Sequence, residues 1–414
     1  MTPGSPPHGR NTLYLSLVEA FWGVGLSVIS VGTVLPVYLL GAGASNWVIA
    51  LLPALGALGA GITQGFSGWL VRRSSHLKGW VLALHVLAPA PLALVGFWLL
   101  LGRGGGVMAV LLGWGAFYGF LGILFPLWLD YMARILDPAR RGRAFGAIFF
   151  VQTTAGVGGA ALASGVLEQS TSDRAYALLF FVAAVAMAGG SLLFMGTRGE
   201  ALPPGPATTS SSSEHFKEFF GLWREASWLK PYMVARWLTR GIYPLVAFFY
   251  AARAVAELGA TPSQAALLGA AALGCQAVAG IAAGILGDHV GHRAAVVLGQ
   301  AGLLVASVLV LLPIPLWGYF LVAALTGVYL ATEYASQGNW IMELAGPYRR
   351  QGALALVGFL LTPTAVAVPL LGGWLMDEVG FRPVAAGVAV ILVLAMVVEL
   401  RLVPNPRPSR HTGG

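Results

Sequence analysis

The chain has 414 residues, of which 57% are hydrophobic and only 10% are charged. Soluble globular domains usually carry about 25% charged residues, so this composition excludes an ordinary water-soluble fold. The net charge of +8 would suit a nucleic-acid-binding protein. The positive side chains, however, flank long apolar segments, which is where membrane proteins place them, so we expect no nucleic-acid partner.

Twelve apolar segments follow one another along the chain, each long enough to cross about 30 Å of hydrocarbon. We therefore predict an all-α membrane protein with twelve transmembrane helices, called spans 1 to 12. Their predicted bounds are 12–41, 46–71, 79–101, 105–135, 143–167, 174–197, 231–257, 262–286, 293–312, 316–344, 350–376 and 382–402.

Residues 199–230 separate spans 6 and 7 and differ from both. Their first part is rich in Pro and Ser, which is typical of a flexible linker. Aromatic residues then recur at helical spacing among charged ones, which predicts an amphipathic helix on the membrane surface; they are Phe216, Phe219, Phe220 and Trp223. We predict three parts: a six-helix bundle over 1–198, this linker, and a second six-helix bundle over 231–414.

Basic residues are distributed unevenly between the two sides of this topology. Most lie on the side that holds both chain ends, and the other side carries mainly Arg103, Arg174 and Arg382. Cytoplasmic loops of membrane proteins are enriched in Lys and Arg, so we predict that both termini are cytoplasmic and that the protein lies in the inner (plasma) membrane. The N-terminal residues show no removable signal peptide.

The first six spans contain three polar side chains that stand out as candidate site residues. Glu19 lies about 10 Å inside span 1, at 1.5 Å per residue. Tyr118 belongs to an aromatic stripe in span 4, which either packs against neighbouring helices or lines a cavity. Gln152 lies in span 5 and can form hydrogen bonds inside the membrane.

Span 7 carries Arg236 and Arg240 one helical turn apart. Arg236, nearer the entry, could extend to the phosphate layer, whereas the deeper Arg240 requires a partner. An unpaired charge inside a membrane costs about 3 kcal/mol on insertion scales. Because Glu19 lies at a similar depth, we predict either an ion pair between Glu19 and one of these arginines or a substrate contact that they share.

Glu333 lies near the middle of span 10 and is the acidic residue farthest from water. Burial in hydrocarbon disfavours the charged form of a carboxyl group, so we predict that Glu333 binds and releases a proton and couples it to function. Gln337 shares its helix face and can hydrogen-bond to either form. Two alternatives stay open: Glu333 touches substrate without titrating, or it is a packing residue.

A short glycine-rich stretch between spans 8 and 9 predicts a tight hairpin at the membrane surface. Within it Gly284, Leu286, Asp288, Gly291 and Arg293 match Gly-x-Leu-x-Asp-x-x-Gly-x-Arg, so the chain resembles the major facilitator superfamily, in which this loop follows helix 8.

In that family a second copy of the loop follows helix 2. Here the corresponding stretch keeps Gly68 and Leu70, but Arg72 stands where the family has Asp. This departure weakens the gating role that the family assigns to the first copy.

The resemblance implies two pseudo-symmetric bundles of six helices each, with alternating access to a central cavity between them. It implies that Asp288 lies near the start of helix 5 in the outward-facing state. It also implies that Glu343, at the end of span 10, joins Asp288 and Arg293 in a network on the cytoplasmic side.

Other kinds of chemistry lack their sequence motifs. The chain has no phosphate-binding Gly-x-x-x-x-Gly-Lys loop, no His-Glu-x-x-His zinc motif and no Gly-x-Ser-x-Gly nucleophile elbow. We therefore expect no enzyme activity, no metal site and no cofactor.

The leading functional prediction is a monomeric secondary active transporter that exports amphipathic or drug-like compounds at the expense of a proton gradient. An uptake carrier or uniporter for a polar metabolite or organic anion is the alternative that Arg240 would suit. A non-transporting membrane receptor on the same fold is the third possibility.

Overall fold

The backbone of a membrane-embedded segment must satisfy its own hydrogen bonds, so long apolar segments fold as helices. The computed structural model describes residues 8–73, 77–137, 140–198, 221–345 and 350–405, and in these ranges every predicted span is helical and no residue is in a β-strand. The linker before residue 221, with Phe216, Phe219 and Phe220, lies outside the described residues. The boundaries of the three predicted parts stay a prediction.

The first half of the chain contains six helices. They are α1 (His8–Val28, resumed as Val34–Gly41), α2 (Asn46–Arg73), α3 (Leu77–Leu87 and Ala90–Leu101), α4 (Gly106–Ile135), α5 (Arg141–Gln169) and α6 (Asp173–Ser191, followed by the 3-10 turn Leu192–Gly196).

The described residues of the second half contain the other six spans. They are α7 (Leu229–Arg240, Tyr243–Ala247 and Tyr250–Leu258), α8 (Pro262–Val290), α9 (His292–Leu309), α10 (Leu316–Thr332, the π-helical turn Glu333–Gln337 and Gly338–Ala345), α11 (Arg350–Val379) and α12 (Phe381–Leu402).

Eleven of these helices are long and apolar enough to cross a membrane, counted over the described residues. The remaining one is α1, which is divided into two segments and carries Glu19 in the longer of them. With α1 included, the fold has the twelve predicted spans.

The helices form two bundles. In the first, α1 packs on α5 and α6 and α2 packs on α4; in the second, α8 and α9 pack on α10 and α7 packs on α12. Glycine permits the closest approaches in both: a Cβ at Gly23 of α1 would overlap the backbone oxygen of Gln152, and one at Gly327 of α10 would overlap that of Ala272. The pairs α5–α8 and α2–α11 join the bundles to each other.

The helix pairs α5–α8 and α2–α11, which join the two bundles, are in close contact at one end. We call the face where α1 begins and α12 ends the terminal face, and the one where α2 begins and α11 ends the far face. At the far face Ser164 of α5 bonds to Ser263 of α8, with their hydroxyl oxygens 2.8 Å apart. Towards the terminal face a Cβ at Gly146 of α5, or at Gly280 or Gly284 of α8, would meet no atom within 4 Å. The far face is therefore closed by contact between the bundles, and there is free space beside these three glycines towards the terminal face.

The hairpin between spans 8 and 9 is tighter than the sequence predicts. The helix α8 continues through Gly284 and Asp288 to Val290, and α9 begins at His292, so Gly291 alone makes the turn. Its φ of 112° lies where only glycine is unstrained, and it is the first such position after α8 begins. The glycines before it are compatible with a helix, so they do not end it.

Candidate functional site

A buried ion pair joins α7 to α10. The guanidinium of Arg236 donates to both carboxylate oxygens of Glu333, with N–O distances of 2.9 and 2.6 Å. The side chains are only 4% and 10% exposed, so the charges compensate each other away from water. Arg236 also donates to Thr239 one turn further along α7, at 3.1 Å. The pair satisfies the requirement that a charge inside a membrane has a partner.

Two neighbours extend this pair into a hydrogen-bonded chain. Gln337 donates to Glu333 over 3.2 Å and accepts from the hydroxyl of Tyr232 over 2.7 Å. Glu333 and Gln337 are the first and last residues of the π-helical turn in α10. Single π-helical turns within α-helices are frequent at functional sites, because they redirect side chains from the regular helical positions.

Glu19 has a different partner from the one predicted. It is 5% exposed, and its carboxylate accepts a hydrogen bond of 2.5 Å from the side-chain amide of Gln152. No ion pair forms between Glu19 and Arg236 or Arg240, so that part of the prediction is wrong for this conformation. The reason is packing: α1 lies directly on α5, whereas Arg236 points within its own bundle to α10. A shared substrate contact stays a prediction.

Arg240 lies between the two bundles. Its charge acts on the phenol groups of Tyr118 in α4, of Tyr243 in α7 and of Tyr334 in α10. Tyr118 and Tyr334 also interact electrostatically with each other. Because Tyr118 belongs to the first bundle and the other three residues to the second, this cluster bridges the two.

The same cluster faces open space. Arg240 is exposed and, among the described residues, has no hydrogen-bond or ion-pair partner. Tyr334 is 77% exposed although it lies beside Tyr118 and Arg240. An exposed guanidinium can bind an anion by charge-assisted hydrogen bonds, and phenol groups near it can stack on an aromatic group. This is the part of the molecule best suited to hold a small solute.

The residues of the α8–α9 hairpin are arranged differently from the predicted network. Arg293 donates to the carbonyl oxygens of Leu400 and Val403 at the end of α12, so it does not join Glu343. Glu343 instead lies 3.6 Å from His292, which the sequence did not single out. The turn is so short that His292, the residue before Arg293, is the one that faces α10.

Asp288 is exposed and, among the described residues, makes no hydrogen bond or ion pair, although its charge acts on Glu343. Its predicted contact with the start of α5 belongs to the opposite conformation and stays a prediction. Gly68 and Arg72 lie in the last turns of α2, and their side chains are outside the described residues.

One buried acidic residue carried no predicted role. Glu399 of α12 is 0% exposed, and one of its oxygens accepts a hydrogen bond of 2.9 Å from Gln300 of α9. The signal that could have identified it is an acidic residue inside an apolar helix, which in a membrane protein indicates function by default.

Comparison with known proteins gives one family. Residues 231–414 match the model of the Major Facilitator Superfamily. No curated protein matches the chain.

Solved structures resemble the whole chain at low identity. The D323A mutant of the nucleoside transporter NupG has a TM-score of 0.77 and 11% identity, and the match covers 95% of this chain and 100% of that one. A bacterial homologue of the human lysosomal transporter Spinster, inward-facing and unoccupied, has a TM-score of 0.69 and 14% identity, and the match covers 96% of this chain and 97% of that one. The peptide transporter POT in complex with sulfate has a TM-score of 0.68 and 15% identity, and the match covers 97% of this chain and 96% of that one. Identities this low establish likeness of fold.

Proposed function

Because residues 231–414 match the model of the Major Facilitator Superfamily and the whole chain resembles solved transporters in fold, we propose a proton-coupled secondary transporter of small organic anions. The fold is that of a multi-pass membrane transporter and not of an enzyme. The substrate binds between the bundles beside Arg240, and the two faces open alternately. The terminal face is the cytoplasmic one, and the protein acts as a monomer in the inner membrane.

The unpartnered guanidinium of Arg240 is the observation that supports an anionic substrate. Arg240 is exposed to the space between the bundles and has no partner among the described residues, so an anionic ligand can accept charge-assisted hydrogen bonds from it without displacing another group. The phenols of Tyr118, Tyr243 and Tyr334 around it favour a substrate that also has an aromatic or apolar part. Arg236 is less suited to bind substrate, because Glu333 already neutralises it.

Proton-coupled efflux of amphipathic or drug-like compounds is the second candidate. The observation that favours it is the tyrosine lining, since stacking and apolar contact accept many shapes without requiring a charge. Under this alternative Arg240 would be a solvated positive charge in the cavity instead of the binding residue.

A ligand-stabilisation screen of the purified protein separates the two candidates. Aromatic carboxylates should raise the unfolding temperature of the wild type and fail to do so for Arg240→Gln. A charge-assisted hydrogen bond is worth about 1.5–3 kcal/mol, so we expect affinity to fall about 10- to 100-fold. Arg174→Gln, which changes an exposed arginine at the start of α6, is the matched control and should bind as the wild type does.

Flux measurements complete the test. Proteoliposomes should take up the stabilising compound faster with an imposed proton gradient, and a protonophore should abolish the difference. Equal binding of anions by Arg240→Gln, together with protonophore-sensitive efflux of neutral dyes, would favour the second candidate. Correctly folded protein that moves no compound in either direction would favour a receptor instead.

A further inference from the structure

Glu399 of α12 is buried with an incomplete set of hydrogen bonds. One carboxyl oxygen accepts from the amide nitrogen of Gln300, at 2.9 Å. The other oxygen has no partner among the described residues, and neither does the amide oxygen of Gln300. Both side chains are 0% exposed, so bulk water does not reach them. Two buried acceptors side by side lack a donor, and a proton on Glu399 would supply it.

The charges around Glu399 belong to the ion pair described above. Arg236 and Glu333 both act electrostatically on Glu399, and so does the partly exposed Arg293 of α9. Tyr232 of α7 and Tyr329 of α10 are the other titratable groups that its charge reaches. Both terminal nitrogens of the Arg236 guanidinium donate hydrogen bonds to Glu333. Its Nε is buried and has no partner among the described residues.

The number of buried charged groups determines which carboxyl group is protonated. Two buried carboxyl groups lie near one buried guanidinium, which can neutralise only one of them. A second buried negative charge without its own partner would carry the large cost of desolvation. Since Glu333 holds Arg236 by two hydrogen bonds, Glu399 is the group that must be neutral here.

We propose that Arg236, Glu333 and Glu399 form a proton-binding triad in which two carboxyl groups share one proton and Arg236 pairs with whichever is ionised. In this conformation Glu399 holds the proton. When it passes to Glu333, the guanidinium transfers from Glu333 to the Glu399 carboxylate, and this internal transfer leaves the net charge of the triad unchanged. Glu333, the more exposed of the two, exchanges the proton with the aqueous space between the bundles.

The triad deepens the proposed proton coupling and rests on it, but its protonation can be tested without transport. Infrared difference spectroscopy of the purified protein at neutral pH should show the carbonyl band of a protonated carboxylic acid that Glu399→Gln removes. Glu333→Gln should remove the same band, because Arg236 then pairs with Glu399 and ionises it. Glu19→Gln, which alters the other buried glutamate of the cavity region, should leave that band in place.

Retention of the band in either Glu399→Gln or Glu333→Gln would overturn the triad. Thermal unfolding of each variant checks that it is folded, and the Glu333→Gln result does not depend on Glu399→Gln being stable. In proteoliposomes Glu399→Gln should retain substrate exchange and lose accumulation driven by a proton gradient; retained accumulation would also overturn the proposal. Wild-type transport could also prove independent of the proton gradient while the infrared bands change as expected. That result would support the triad as a proton-binding site and contradict proton-coupled transport.

Discussion

Arg236 illustrates how a buried charge is neutralised in an apolar helix bundle. Its partner Glu333 is 97 residues away in the chain but lies on the adjacent helix of the same bundle. Glu19 also has its partner within its own bundle, since the side-chain amide of Gln152 in α5 donates a hydrogen bond to its carboxylate. Both of these pairs lie within one bundle, whereas Arg240 is exposed and has no partner among the described residues.

The buried pair makes a prediction about stability. Arg236→Gln leaves Glu333 buried without its cation, and removal of one partner from a buried pair costs about 3–5 kcal/mol. We expect a clear fall in the free energy of unfolding, measured by denaturant titration in detergent. The double variant Arg236→Gln/Glu333→Gln should recover most of the loss, because no uncompensated charge remains.

Arg140→Gln is the control for that experiment. Arg140 lies 4.0 Å from Asp137, and both side chains are well exposed, at 68% and 39%. Exposed pairs contribute about 0–1 kcal/mol, so this substitution should change stability little. An equal loss in both single variants would mean that burial of the Arg236 pair has no energetic effect.

At the scale of helices, the pair α2–α11 determines how closely the two bundles approach at the far face. Gly373 of α11 lies against α2: an added Cβ would be 2.6 Å from the Cβ of Ala50 and 2.7 Å from the backbone oxygen of Asn46. Neither atom can move without displacing α2. A side chain at this position is therefore incompatible with the closed far face.

Gly373→Ala should consequently open the far face. Overpacking of this kind costs about 1–3 kcal/mol, which corresponds to a shift of about 5- to 150-fold in the conformational equilibrium. The measurement is the reaction rate of a cysteine at Ser263 with a membrane-impermeant thiol reagent, in a Cys275→Ala background. Gly358→Ala on the same helix is the control, since its Cβ would meet no atom within 4 Å. Equal rates for the two variants would contradict the prediction.

At the scale of the whole molecule, one acidic residue is positioned to stabilise closure of each face. At the far face Asp377, near the end of α11, accepts hydrogen bonds from the backbone N–H groups of Asn46 and Trp47, at 2.8 and 2.9 Å. These are orphan N–H groups at the start of α2, where the helix dipole favours a carboxylate. Asp288 of α8 is predicted to do the same for α5 when the terminal face closes.

Asp377→Ala should weaken closure of the far face. Loss of a helix N-cap costs about 0.5–2 kcal/mol, so the cysteine at Ser263 should react about 2- to 30-fold faster. Glu378→Gln changes the neighbouring exposed acid and should have no such effect. An unaltered rate in Asp377→Ala would show that this contact does not stabilise the closed state.

Asp288→Asn should act in the opposite direction. Asp288 makes no bond among the described residues here, so its replacement leaves this conformation intact and removes only the stabilisation predicted for the other one. A carboxylate at a helix N-terminus contributes about 0.3–1 kcal/mol, so the cysteine at Ser263 should react up to about 5-fold more slowly. A faster reaction would rule out the predicted contact with α5.

The sequence by itself determined the features that depend on neighbouring residues. Hydropathy gave the twelve spans, because a backbone surrounded by lipid has no other donor or acceptor than its own helix. The ion pair between Asp130 and Arg134, 2.7 Å long, is likewise a local feature, since the geometry of a helix brings residues at i and i+4 together.

Only the tertiary structure decided which distant side chains meet. The pairing of Arg236 with Glu333, the burial of Glu399 and the capping of α2 by Asp377 join residues that are far apart in the chain. Apolar helices pack on one another through close fits of small residues such as Gly23 and not through a pattern with a period. The rotation of each helix, and with it the partner of each buried charge, is therefore fixed by all its neighbours at once and not by its own sequence.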